Sequence, residues 1–128
     1  MSKLNMEITI LIDQAEQYYQ LIGEKNIEGI KKFLHPDVKF FSPMANLQGK
    51  DAVIEATSNF TQMFSLLKIR TKFGSDNQAM IIYDIDIPGM IENFPGASLL
   101  KFDDGLIVRI ELFYDASYFI ERKEEIFS

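Results

Sequence analysis

The prevailing hydrophobic period of this chain shifts from helical to alternating near residue 65, and that shift constrains the fold more than any other feature. Upstream, apolar side chains recur at spacings of three and four; downstream they alternate. Ile8, Leu11, Ile12, Ala15, Tyr18, Tyr19 and Ile22 form one stripe of a helix, with Glu7, Asp13, Glu16, Gln17 and Gln20 on the opposite face. Gly23 is placed to end it in the left-handed conformation that glycine enters most easily. Asn26 then caps a short helix carrying Ile27, Ile30, Phe33 and Leu34, which Pro36 terminates. Val38 to Ser42 reads as a strand and Pro43 to Gly49 as a loop. A third helix starts at about Lys50 with Val53, Ile54, Thr57, Phe60, Thr61 and Phe64 inward.

Beyond that point the period is two. Leu67, Ile69, Thr71 and Phe73 alternate with Lys68, Arg70 and Lys72, as in a half-solvated strand. A turn at Gly74 to Asn77 leads into a strand from Met80 to Ile87, broken by Pro88-Gly89. Residues 90–97, with Asn93, Pro95 and Gly96, read as a connection to a strand from Ser98 to Phe102. Asp103-Asp104-Gly105 is a hairpin signal, and Leu106 to Tyr114 is expected to be the longest strand. Ser117 is placed to cap a short terminal helix through Phe119 and Ile120. Three helices followed by a mostly antiparallel sheet, with one early strand, make the class α+β. With no repeat or linker, residues 1–128 are expected to form one domain.

Composition then removes most chemistries. The chain has no cysteine and one histidine, which excludes disulfides, thiolate metal sites, thiol nucleophiles and any site built on a histidine pair. A net charge of −6 is the wrong sign for nucleic acid. The apolar run from Met6 to Ile12 carries Glu7, closes on Asp13 and lacks a small-residue cleavage site, so it does not read as a secretory segment. Nothing approaches the length of a membrane span. A cytoplasmic protein with no membrane or nucleic-acid partner is the expectation.

Four stretches carry a family likeness. They are Glu16 to Leu34, His35-Pro-Asp-Val-Lys-Phe-Phe-Ser-Pro43, the helix start Gly49-Lys-Asp-Ala-Val-Ile54, and Asp104-Gly-Leu-Ile-Val-Arg-Ile-Glu-Leu-Phe-Tyr-Asp115. In that order and spacing the chain resembles the nuclear transport factor 2-like superfamily, which includes ketosteroid isomerases, SnoaL-like polyketide cyclases and scytalone dehydratases. The resemblance implies a cone: a strongly curved, mostly antiparallel sheet wrapped around three helices, with an apolar pocket at the open end. It also implies a small apolar ligand, no metal or organic cofactor, and a homodimer formed through the convex sheet face.

The isomerase site uses an aspartate base with an oxyanion hole of one tyrosine and one protonated aspartate. By the resemblance, the helix tyrosine falls on Tyr18, while the two carboxylate positions fall on Ser42 and Ser98. A serine cannot remove a proton next to a carbonyl near neutral pH, so steroid isomerisation by that mechanism is not expected. The resemblance turns Arg109, Glu111 and Phe113 toward the pocket and makes Asp115 a second acidic candidate; an exposed Arg109–Glu111 ion pair is the competing reading. Tyr18, Glu111 and Asp115 are thus the catalytic candidates. Phe40, Ser42, Phe60, Phe64, Tyr83, Ser98, Arg109 and Phe113 are the candidates for the pocket. Ser42 also fits a turn before Pro43, Asp84 and Asp86 fit a solvated outer face, and His35 fits a contact with a helix C-terminus. Two functions stand: an enzyme acting on an apolar or polyketide-like compound, or a binding or dimerisation module without catalysis.

Overall fold

A computed structural model describes residues 3–120. Its elements are α1 (Lys3–Gly23), α2 (Ile27–Ile30) running into a 3-10 turn (Lys31–Phe33), β1 (Leu34–Phe41), β2 (Asn46–Gln48), α3 (Lys50–Thr61), β3 (Leu66–Ser75), β4 (Gln78–Ile87), β5 (Ile91–Asp103), β6 (Leu106–Phe113) and α4 (Ser117–Ile120). The six strands form one sheet in the order β2-β1-β6-β5-β4-β3. Only β1 and β6 run parallel; every other neighbouring pair is antiparallel. The class is α+β, as the change of period requires.

Helix α1 lies across β3 and β4, and α3 packs on β1. The helices cover one face of the sheet, and the core fills the space between. On β4 the alternation is complete: Ala79, Ile81, Tyr83, Ile85 and Ile87 are buried, while the residues between them are half-buried on the other face. Four breaks in register, one each in the pairs β1–β6, β3–β4, β4–β5 and β5–β6, bend the strands around the helices. Bulges are the ordinary device for such curvature. No helix among the described residues is long and apolar enough to cross a membrane.

Several local readings need correction. Helix α1 ends on a Schellman motif, with Asn26 N–H donating to Leu21 O and Lys25 N–H to Ile22 O, both at 2.9 Å. The left-handed residue is Lys25 (φ 62°) rather than Gly23. Lys25 is held there by its Nζ, which donates to Phe64 O at 2.7 Å. Asn26 does cap α2, its Oδ1 accepting from Gly29 N at 2.8 Å. Strand β1 starts at Leu34 and contains Pro36, tolerated because the pairing with β6 is interrupted between Leu34 and Lys39. His35 therefore lies in a strand, its Nδ1 accepting from Asp37 N at 3.0 Å, and does not cap a helix.

The largest correction is β5. Residues 91–97 are strand, so β5, with 13 residues, is the longest. Pro95 is tolerated because the β6 ladder reaches only Ala97, leaving Pro95 a partner on one side only. Asp104 and Gly105 both take positive φ (51° and 79°), as the tight hairpin between β5 and β6 requires.

Candidate functional site

The helices do not fill the concave side of the sheet. A cavity of about 710 Å³ remains between α1, α3, α4 and the inner faces of β1, β4, β5 and β6. Its wall is chiefly apolar, and among the described residues lining it none is charged. What polar chemistry it has comes from hydroxyls and amides. Four of the chain's five tyrosines line it: Tyr18, Tyr19, Tyr83 and Tyr114. Adjacent residues on a helix are about 100° apart, so Tyr19 meets Tyr83 on β4 while Tyr18 turns toward Phe33 and Thr57 of α3. Tyr83 comes from the inner face of β4, and Tyr114 directly follows β6.

The rings touch in series. Tyr18 meets Tyr19 edge-to-face with centroids 5.6 Å apart, and Tyr19 stacks on Tyr83 at 5.1 Å and 27°. Burial raises the pKa of all four. It pushes Tyr18 far above its usual range, with the neighbouring Tyr19 adding and a hydrogen bond with Thr57 subtracting. Tyr19 is pushed up to about 12 by burial, with Ser98 and Tyr83 pulling it part of the way back. Tyr83 is raised by burial and by Tyr19, and Tyr114 by burial against a smaller opposing effect of Ser42. All four are neutral phenols at physiological pH, able to donate a hydrogen bond and unable to act as bases.

The remaining candidates divide cleanly. Phe40, Ser42, Phe60 and Tyr83 line the cavity, together with Tyr18. The Ser42 hydroxyl is also the pivot of a turn, accepting from Ala45 N at 3.0 Å and donating to Ala45 O at 2.9 Å. Ser98 is fully buried behind the lining, and its Oγ meets no partner in hydrogen-bond geometry although the Tyr19 hydroxyl is close enough to feel it. Phe64 lies outside the cavity, packed on Phe60 at 5.0 Å under the Lys25 ammonium.

Arg109, Glu111 and Phe113 are on the wrong side. Ile110, Leu112 and Tyr114 line the cavity, so the residues between them face outward. Arg109 donates from Nε to Glu111 Oε1 at 2.8 Å in an exposed ion pair and lies over the Phe41 ring, 4.4 Å from its centroid. Phe113 is 49% exposed. The cause is the irregularity opposite Lys101–Phe102, which leaves both Ile107 and Ile110 buried and so reverses the phase of everything after it. Asp115 is exposed and accepts from Ser117 N and Oγ at the start of α4, so it shapes a turn. Asp84 and Asp86 lie on the outer face, Asp84 3.5 Å from Arg70 and Asp86 accepting from Asn93 N. No group of three or more carboxylate or histidine side chains among the described residues could hold a metal.

Reading residues one at a time missed Tyr19 and Tyr114 as site residues. Tyr19 carried a signal, because the apolar stripe of α1 includes both tyrosines.

Comparison with known proteins gives a consistent picture. The SnoaL-like domain family matches residues 15–110. A steroid delta-isomerase from Pseudomonas aeruginosa superposes with a TM-score of 0.76 at 23% identity, covering 98% of this chain and 93% of that one. An NTF2-like protein of unknown function from Cytophaga hutchinsonii gives 0.74 at 20% identity, over 86% and 94%. A de novo designed protein with a curved β-sheet gives 0.78 at 21%, over 98% and 97%. At these identities the likeness is one of fold. None of the curated proteins matches the sequence.

Proposed function

The chain belongs to the SnoaL-like domain family, and we propose that its cavity binds a small, uncharged, mainly apolar molecule carrying a carbonyl or hydroxyl oxygen. One observation carries this reading: four neutral phenols line a cavity of about 710 Å³ whose described wall has no charged side chain. Such a volume is ordinary for a small-molecule site. A ligand oxygen entering among buried phenols meets donors in a medium of low polarity, where each hydrogen bond gains strength. An ionised ligand would lose its hydration with no cation to replace it.

Within the isomerase or cyclase chemistry that the family includes, this site supplies electrophilic help only. Tyr19 and Tyr83 would polarise a carbonyl by donating to its oxygen. Removal of an adjacent proton needs a base, and no carboxylate or histidine lines the described cavity. Binding is therefore the primary reading, and catalysis requires a basic group on the substrate itself. No residue of the site calls for a cofactor.

Fluorescence titration with 2-naphthol and 2-naphthoate tests the proposal. The phenol is expected to bind at least about tenfold more tightly than the carboxylate, because burying an unpaired charge costs more than 1.4 kcal/mol. Equal or tighter binding of the carboxylate would overturn it, and binding of neither would leave a structural module in its place.

A homodimer through the outer sheet face belongs to the same proposal. Register brings Phe73, Met80 and Leu99 into one row across that face, beside Ile82, Ala97 and Phe113 in the next. Phe73 is 50% exposed. A second copy would cover this apolar band. Sedimentation equilibrium is expected to give a dimer that Phe113→Arg converts to monomer; a monomeric native protein rejects this part alone.

A further inference from the structure

We infer that Gly96 is a specificity-determining residue: by lacking a side chain it lets the Tyr83 ring lie back against β5, and so sets the size of ligand the cavity admits. The inference rests on the ligand-binding reading above and deepens it.

Gly96 on β5 and Tyr83 on β4 are direct cross-strand partners, and both line the cavity. A Cβ at position 96 would stand 2.9 Å from Tyr83 Cζ and 3.0 Å from both Cε2 and Oη. Those distances lie well inside the normal carbon–carbon separation of about 3.5–4.0 Å. Backbone strain is not what requires a glycine here, because Gly96 is absent from the positive-φ glycines, which are Gly49, Gly89 and Gly105. Space is what it supplies.

The neighbouring positions reinforce this. The inward side chains of β5 run Phe94, Gly96, Ser98, Leu100, Phe102, all buried, and the smallest stand together beneath the Tyr19–Tyr83 stack. Tyr83 cannot retreat from an added methyl through the sheet, and its other face is held by Tyr19, 5.1 Å away. Tyr83 and the Tyr19 stacked on it both line the cavity, so displacing the ring displaces that wall. A methyl at position 96 therefore moves a phenol into the ligand's space.

The test uses two neutral phenols of different size, 2-naphthol with two rings and 1-hydroxypyrene with four, titrated by fluorescence into the folded protein. Gly96→Ala is expected to weaken 1-hydroxypyrene at least about tenfold and 2-naphthol by no more than about threefold, the scale that one methylene sets in an apolar site. Adding Tyr83→Leu removes the displaced ring. The double variant is then expected to bind 1-hydroxypyrene within about threefold of Tyr83→Leu alone, because the two changes act through one contact.

Equal loss of both probes in Gly96→Ala, or no loss of either, overturns the inference while leaving the binding reading intact. Failure of the native protein to bind either probe overturns both. Should Gly96→Ala not fold, the double variant decides by thermal unfolding. A melting temperature matching Tyr83→Leu identifies the ring as the obstacle, and loss of folding in both rejects it.

Discussion

The two faces of the same six strands have opposite characters. On β4 the inner residues are Ala79, Ile81, Tyr83, Ile85 and Ile87, and Asp84 and Asp86 stand between them on the outer face. On β6 the inner residues Ile110 and Leu112, followed by Tyr114, face the cavity, while Arg109 and Glu111 pair in solvent. The ionisable groups that look most like catalysts thus lie across the sheet from the cavity that could use them. The polar groups that do reach the cavity are neutral. Charge therefore belongs to the outer surface of this domain, and the polar groups of its inner one are uncharged.

The sharpest way to break that contrast is to exchange bulk on the two faces of β4. Ile81→Ala is expected to cost about 2–5 kcal/mol in urea unfolding, because it opens a void in a packed core. Asp84→Ala, three residues along on the outer face, is expected to cost no more than about 1 kcal/mol, the value of a partly exposed ion pair. Comparable losses at the two sites would mean that Asp84, which pairs with Lys68 and Pro95 beside the apolar rows, is covered as tightly as Ile81, and would extend the proposed dimer contact beyond those rows.

A pH titration separates the faces next. Tyr19 has an ordinary pKa of 10.0 when unfolded and is raised to about 12 by burial in the folded state. Above pH 10 the unfolded chain loses this proton first, so the native state binds more protons and stability falls as pH rises. The stabilisation is complete below pH 10 and is lost as pH rises through 12, with a limiting slope of about 1.4 kcal/mol per pH unit from this one group. Tyr18 and Tyr83 shift in the same direction and extend the loss to higher pH. Binding of 2-naphthol is expected to be flat between pH 5 and 8, because no group lining the described cavity ionises there and the probe is still a neutral phenol. A bell-shaped binding profile in that window would reveal a titrating group inside the cavity.

Smaller effects come from single hydroxyls. Tyr19→Phe and Tyr83→Phe each remove one donor and keep the ring, so each is expected to weaken 2-naphthol about two- to tenfold, the value of one hydrogen bond. Far larger losses would mean that the phenols position one another, and that the stack acts as a unit.

How much of this was legible in the sequence depended on whether local chemistry or long-range register decided the outcome. The α1 stripe, the Asn26 cap, the Asp104-Gly105 hairpin and the outward Asp84 and Asp86 all follow from neighbours a few residues apart. Residues 91–97 did not, because Pro95 and Gly96 look like breakers until Tyr83 and the short reach of β6 are known. The orientation of Arg109, Glu111 and Phe113 did not either. One bulge reverses alternation downstream of it, and a bulge between Ile107 and Arg109 leaves no residue-level mark. The cavity was expected on the concave side, but its tyrosine lining depends on which strand faces which helix.

The least disruptive experiment bears most directly on the catalytic candidates. Glu111→Gln removes the acceptor charge of an exposed pair whose glutamate keeps 29% of its side chain accessible. Arg109 retains its contact with the Phe41 ring, so the guanidinium is not left without a partner. Stability is expected to change by less than about 0.5 kcal/mol, and 2-naphthol affinity by less than about twofold, since the carboxylate and the cavity lie on opposite faces of one strand. The same outcome is expected of Asp115→Asn for the cavity, whereas the turn at Ser117 would weaken, because an amide oxygen accepts less strongly than a carboxylate. A large fall in affinity with either variant would return that carboxylate to the site, from which the register of β6 removes Glu111 and the turn at Ser117 removes Asp115.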